Sequence, residues 1–400
     1  LISNLPEMHP ELVADCPRCA HVLWRMRASP FELPIACGLA AALFYILAIT
    51  APFLEISAYG RFSLAHLSSG PVQLSQQGFA MVGLLVAGVT LVFPGLKLGL
   101  MLVTLIGLRS GLLPFALLRF LFRWYRPIAP WAMIDVYLLG FLVAYTRLTA
   151  IAAVHLDTAL FALIGLMVAM AAADGALDDE AVWRAIGAHD SGGTQAGGGQ
   201  LVGCACCGLV SAAETGARCR RCHAKLRARK PDSLARSWAL MLAAVALYIP
   251  ANIYPVLIIT QLAQTQKYTI MGGIFELADY GLWPLAALVF LASITIPLMK
   301  LLILAYMMLL TRAGSAVHLL GRTRAFRLVA FIGRWSMIDV FMISILVALV
   351  QFGQFANIRT DIGAPCFAAV VVLTMFAVEV FDPRLMWDAP APILDTAVAA

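Results

Sequence analysis

The sequence predicts an α-helical polytopic membrane protein: two parallel repeats of a four-helix transmembrane bundle, each preceded by a small cytoplasmic zinc ribbon. Three observations carry that prediction. Of 400 residues, 62% are apolar and 12% charged, with a mean hydropathy of +0.88, a balance that excludes disorder and an ordinary soluble enzyme. Apolar runs long enough to cross a hydrocarbon core of roughly 30 Å recur along the chain. The chain also matches itself when slid by about 203 residues, the mark of a duplicated unit.

Taken in order, the apolar runs bounded by Pro, Gly and charge clusters place helices at about 32–54, 79–107, 128–148, 156–173, 236–260, 282–311, 333–353 and 363–381. The corresponding organisation is a ribbon over 1–30, a bundle over 31–176, a flexible linker over 177–200, a second ribbon over 201–230, a second bundle over 231–388 and a tail over 389–400. If the first helix leaves the cytoplasm, inside loops hold 22 of the 28 Lys and Arg residues. The outside loops then hold Arg61, Arg147, Lys267 and Arg359, so both termini and both ribbons are expected inside. The polar, Pro-containing opening at Leu1 has no secretory-signal pattern and reads as a truncated start.

The repeat aligns uncommon features. Cys16-Pro-Arg-Cys19 falls on Cys219-Arg-Arg-Cys222, Pro52 on Pro255, and Pro94-Gly-Leu-Lys97 on Pro297-Leu-Met-Lys300. Further on, Trp131-Ala-Met-Ile-Asp135-Val falls on Trp335-Ser-Met-Ile-Asp339-Val, and Asp178 with Trp183 on Asp382 with Trp387. Four spans is an even number, so both units share one orientation.

Seven of the nine cysteines sit in two short patches predicted to be cytoplasmic, where thiols stay reduced and metal is the better reading than disulfide. Cys204-x-x-Cys207 and Cys219-x-x-Cys222 are separated by eleven residues, a spacing that lets two knuckles supply four thiolates to one tetrahedral Zn²⁺. Cys206 offers a competing register. The front patch holds only Cys16 and Cys19, half a site. Its second pair precedes Leu1, or His9 or His21 substitutes, or the site is dead. A ribbon this small has too little core to fold without metal, which favours a structural role.

Charges within spans are costly and mark function by default. Lys97 lies roughly 15 Å from the cytoplasmic end of its helix and Asp135 roughly 12 Å from that of the next. The sequence therefore predicts a Lys97–Asp135 pair in one bundle and a Lys300–Asp339 pair in the other, each charge offsetting the other's desolvation. Such a pair either locks neighbouring helices or lines a cavity for a headgroup or proton. Pro250-Ala-Asn252-Ile-Tyr254-Pro255 is expected to break the fifth helix near its outer end, as a gate or a plain kink. Seven cations between Arg218 and Lys230 abut a span, which favours anionic lipid over nucleic acid. Leu112 to Arg126 and Leu319 to Arg334 mix aromatics, Leu and Arg as interfacial helices do. No Gly-rich phosphate loop or nucleophile motif is present, so no enzyme activity is predicted.

This arrangement resembles the paraquat-inducible protein A family. The resemblance rests on Leu5-Pro-Glu-Met8 running to Cys16-Pro-Arg-Cys19, the linker knuckles, Pro-x-x-Lys in the second and sixth helices, and Trp-x-Met-Ile-Asp-Val in the third and seventh. The family's first knuckle should stand just before Leu1. The resemblance implies a Gram-negative inner-membrane protein that works with a periplasm-spanning MCE-domain tunnel protein and moves phospholipid between membranes. Lys300, Asp339, Asn252 and Pro255, with Lys97 and Asp135, form the expected lipid path. The rival readings are a thiol oxidoreductase using the CxxC pairs, an anchor that only recruits the tunnel protein, and a proton-coupled small-solute carrier.

Overall fold

A computed structural model of the protein describes residues 13–15, 22–25, 30–58, 61–149, 153–187, 201–212, 216–261, 264–315, 318–349 and 356–388. Among them, eight helical stretches are long and apolar enough to cross a membrane. They are Glu32–Thr50, Ala80–Ser110, Phe115–Thr146, Thr158–Ala176, Ser233–Ile253, Trp283–Arg312, Leu319–Leu349 and Gly363–Val380, the first to eighth spans. The third and seventh are two helices in series. Phe115–Ile128 and Ile134–Thr149 flank a 3-10 turn at Ala129–Trp131. Pro130 lies in that turn and supplies no backbone N–H, and the chain leaves helical geometry at Ala132, ψ 91°. Leu319–Ile332 and Ile338–Leu349 likewise flank Gly333–Met337. The leading helix of the third span is amphipathic, with Phe120 and Trp124 exposed and Leu118, Phe122 and Tyr125 buried.

The first and fifth spans stop earlier than predicted, and the reason is the same in both. Ala51 and Tyr254 each precede a proline and take extended backbone, ψ 155° and 148°, because the proline ring clashes with a helical residue before it. The residues that follow form strands. In the first repeat β3 (Leu54–Ala58) pairs antiparallel with β4 (Arg61–Ala65) and β5 (Ala153–Leu156). In the second, β8 (Leu257–Gln261) pairs with β9 (Gln264–Tyr268) and β10 (Ala356–Thr360). Each loop region read as plain connection is thus a three-stranded sheet whose third strand follows two further spans. The helix starting beyond that strand is tied to the proline corner: Ala159 N donates to Pro52 O, and Gly363 N to Pro255 O. A Cβ on Gly363 would stand 2.6 Å from the Tyr254 and Pro255 carbonyl oxygens, so glycine permits the close approach. Shorter hairpins, β1 (Val13–Asp15) with β2 (Val22–Arg25) and β6 (Leu201–Gly203) with β7 (Val210–Ala212), belong to the ribbons.

The second and sixth spans each contain one π-helical turn, Gly88–Val92 and Leu291–Thr295. Pro94 and Pro297 follow, and a proline ring collides with the carbonyl four residues back; widening the turn makes room. Tyrosine hydroxyls serve the freed carbonyls: Tyr45 donates to Leu91 O and Tyr248 to Ile294 O. Gly95 admits the Tyr45 ring, since a Cβ there would lie 2.5 Å from its hydroxyl. Leu298 occupies the matching position in the other repeat.

The chain sorts into two compact units, one from Leu1–Pro71, Leu84–Leu138 and Ala152–Ala228, the other from Val72–Gly83, Leu139–Ile151 and Arg229–Ala400. In the second, Met241, Leu304, Met307, Met308, Val378 and Phe381 form a continuous apolar core.

Candidate metal centre and buried charges

The linker ribbon is two knuckles closed by their own backbones. Gly208 N donates to Cys204 O and Cys204 N to Leu209 O, while His223 N donates to Cys219 O and Cys219 N to Ala224 O. The residue after each second cysteine adopts left-handed backbone, φ 74° at Gly208 and 56° at His223, which turns both thiols of a knuckle to one side. The sulfurs of Cys204, Cys207, Cys219 and Cys222 all lie within 4.8 Å of one another and all four residues are buried. Cys204 Sγ stands 3.4 Å from Cys222 Sγ, and Cys207 Sγ 3.6 Å from Cys219 Sγ. A tetrahedral site with metal–sulfur bonds of about 2.3 Å has sulfurs about 3.8 Å apart, and the spread of 3.4 Å to within 4.8 Å brackets that spacing. Cys206 is outside the set; its carbonyl faces Arg126. Cys16 and Cys19 lie outside the described residues.

The ribbon rests on the first unit. The helix Asp179–Gly187 presents Glu180, whose Oε1 is 3.0 Å from Arg221 Nη1 of the second knuckle. Arg126 donates to Cys206 O at 3.3 Å and pairs with Asp179 at 3.4 Å. Burial pushes the Asp179 carboxyl above its ordinary value; Arg126 opposes this, and the nearby Asp178, Asp174 and Glu180 add to it.

The predicted Lys–Asp pairs are not the ones formed. Lys97 Nζ meets Asp174 Oδ2 at 2.6 Å, and the other Asp174 oxygen accepts from Tyr125 Oη at 3.1 Å. Asp135, on the first turn of Ile134–Thr149, is exposed. Matching by depth points to Asp135 because the predicted fourth span ends at 173, one residue short of Asp174, whereas the helix runs on to Ala176. In the second unit Lys300, 1% exposed, donates to the Gly333 carbonyl at 3.1 Å, and there is no Lys300–Asp339 ion pair among the described residues. The Gly333 carbonyl, where the helix Leu319–Ile332 gives way to the 3-10 turn, takes the place of a carboxylate. Asp339 is buried and lines a cavity of about 40 Å³ with Tyr268, Thr269, Val289, Met342 and Phe367.

Asn252 and Pro255 serve the local backbone. Asn252 Nδ2 donates to Tyr248 O within its own helix, which continues through Pro250 to Ile253, and Pro255 makes the corner described above. Two buried polar groups escaped sequence reasoning. Arg322 falls in a stretch read as an interfacial helix, yet the residue is 3% exposed and its guanidinium donates to Met307 O, Ser315 O and Thr311 Oγ1, closing the end of the sixth span. Asp382 accepts from Lys230 N and Arg384 N. Its pairing with Asp178 across the repeats was the available signal.

Duplicated four-span units, each with a three-stranded sheet, and a four-thiol ribbon define a class of polytopic helical membrane proteins. The chain belongs to the paraquat-inducible protein A family, whose model matches residues 31–187 and again 234–390. It is 32% identical over 97% of its length, and 94% of the relative's, to the intermembrane transport protein PqiA of Escherichia coli (strain K12). It is 31% identical over 97% of its length, and 90% of the relative's, to the lipophilic envelope-spanning tunnel protein A of the same organism. A probable intermembrane transport protein of Haemophilus influenzae matches 42% of this chain and 41% of its own length at 31% identity. None of these relatives is named as an enzyme. No solved structure matches.

Proposed function

We propose that the chain is the inner-membrane component of an intermembrane lipid transport system, loading or receiving phospholipid for a periplasmic MCE-domain tunnel protein. The observation that carries this reading is near-full-length similarity to two relatives named for intermembrane transport and for an envelope-spanning tunnel. The bias of cations toward one side supports termini and ribbons in the cytoplasm and the three-stranded sheets in the periplasm. In this reading Cys204, Cys207, Cys219 and Cys222 hold a structural Zn²⁺, and Cys16 and Cys19 contribute to a second ribbon.

The lipid path runs past Asp339 and Lys300, with Lys97, Asp135, Asn252 and Pro255 as further members. A cavity of about 40 Å³ holds little more than a water molecule, so a lipid enters only when the helices around Asp339 part. A buried carboxylate beside apolar walls offers a polar contact for a headgroup at that moment. The test is native mass spectrometry of the protein purified with its envelope partners, together with lipid transfer by Lys300→Met and Asp339→Asn. Co-purifying phospholipid and a tunnel protein, with transfer lost in both folded variants, support the reading. Full transfer by both variants removes the path. Freely alkylated, reversibly oxidised Cys219 and Cys222 would favour the oxidoreductase rival.

A further inference from the structure

Within the first unit, the opening turn of the first span and the closing turn of the second leave a cleft of about 360 Å³. Its walls are Ile35, Ala36, Leu39 and Ile106, and its head is Glu32 and Arg109. Arg109 Nη1 stands 2.9 Å from Glu32 Oε1, and the two side chains are 61% and 70% exposed. Each charge also suits its helix end, acidic in a first turn and basic in a last turn.

Two opposite charges at one end of a hydrocarbon-walled groove match one ligand chemistry. We propose that this cleft is a binding site for an amine-bearing zwitterionic glycerophospholipid of the inner leaflet. Its ammonium rests on Glu32, its phosphate on Arg109 with the Ser110 hydroxyl beside it, and an acyl chain lies along Leu39 and Ile106. An exposed ion pair contributes about 0–1 kcal/mol, so opening it costs little, and the inserted zwitterion replaces it with two charge-assisted contacts. A lipid of net negative charge gains only the arginine and faces Glu32 as a like charge. A free zwitterion makes the polar contacts but leaves the apolar walls bare.

The other repeat provides an internal contrast. Arg312 aligns with Arg109, but Ala235 stands where Glu32 does, so the matching place has a cation without an acid. The selectivity is therefore specific to the first repeat. The inference takes its orientation from the proposed function but not the transport step: enrichment at the cleft and transfer past Lys300 fail independently.

The test is the full-length protein in nanodiscs of equimolar phosphatidylethanolamine and phosphatidylglycerol, released and weighed by native mass spectrometry. Phosphatidylethanolamine is expected about fivefold enriched among retained lipids, the ratio that about 1 kcal/mol gives. Glu32→Gln is expected to abolish the enrichment and Glu32→Asp to keep it. Ala36→Trp, which fills the cleft without touching either charge, should abolish it too, and covers the case in which a Glu32 variant fails to fold. Retained lipid that mirrors the bulk mixture, or enrichment unchanged in folded Glu32→Gln and Ala36→Trp, overturns the proposal.

Discussion

The two repeats solve the same electrostatic problem in different ways. In the first, Lys97 has a carboxylate partner, Asp174, which is steadied by the Tyr125 hydroxyl. In the second, the aligned positions are Val378 and Val329, both buried in the apolar core, and Lys300 is left with a single carbonyl. Acid and phenol have been exchanged together for two valines, as expected if they act as one polar unit. A lysine with its own counter-ion is a fixture of the fold; one held by a carbonyl can release its partner at the cost of one hydrogen bond. The asymmetry therefore separates a lysine fixed by an ion pair, Lys97, from one held by a carbonyl alone, Lys300, which makes Lys300 the stronger member of the proposed lipid path. The ribbon makes a second asymmetry, since Glu180 and Arg126 of the first unit grip it.

The largest test of that division is at the metal. Cys219→Ser should remove the zinc proposed for the linker ribbon, measured by elemental analysis; structural zinc in peptide ribbons carries roughly 10–16 kcal/mol of binding free energy. Hydrogen exchange should then rise in Asp179–Gly187 and far less in Pro383–Trp387, its counterpart. Equal changes in both would erase the distinction.

Next in size, Asp174→Asn leaves Lys97 buried without a carboxylate. Because Asp174 is itself 43% exposed, the cost falls near the bottom of the range for breaking a buried pair, about 2–3 kcal/mol, read as a lower unfolding midpoint. Lys300→Met should change stability by no more than about 1 kcal/mol or raise it, because it deletes a buried charge that has no counter-ion among the described residues. If Lys300→Met destabilises as much as Asp174→Asn, the contrast is wrong.

Tyr45→Phe should cost about 1 kcal/mol and Tyr248→Phe less, because the Tyr248 bond to its π-turn carbonyl is long, 3.5 Å. Smallest is the pairing of Arg229 with Asp388, whose two side chains are 40% and 45% exposed. The Arg229 guanidinium bonding Asp388 holds that carboxyl below its ordinary value of 3.8. A lowered carboxylate value stabilises the fold above the unfolded value and is lost as pH falls through the folded one. Acidification below about pH 4 should thus free the chain's end for under about 1 kcal/mol, seen as earlier loss of protection at Pro383–Trp387.

The spans were legible because hydropathy over some twenty residues is a strong signal, and the ribbon because thiol spacing leaves few geometries. The strands were not. Leu54-Glu55-Ile56-Ser57-Ala58 alternates with the period of a strand, but five residues starting at the predicted end of the first helix are too short to stand out beside it, and most of Leu257–Gln261 falls inside the predicted fifth helix. The partner of Lys97 was hidden for a related reason: depth matching considered only charges well inside a span, and Asp174 sits near a helix end that the apolar run did not mark. Arg322 shows that a cation in a basic segment need not face water, since three oxygens at a helix terminus can hold it.

Each of these sheets has a hairpin made first and a final strand that arrives only after two more spans have been synthesised. Until then β3 and β8 each carry an unpaired rim of amides. Docking of β5 or β10 closes that rim and fixes the fourth helix of the repeat at its proline corner in one step. A chain halted before that strand would display an open edge. The last strand is thus a completion latch for each repeat, and a quality-control protease could recognise unfinished molecules by its absence.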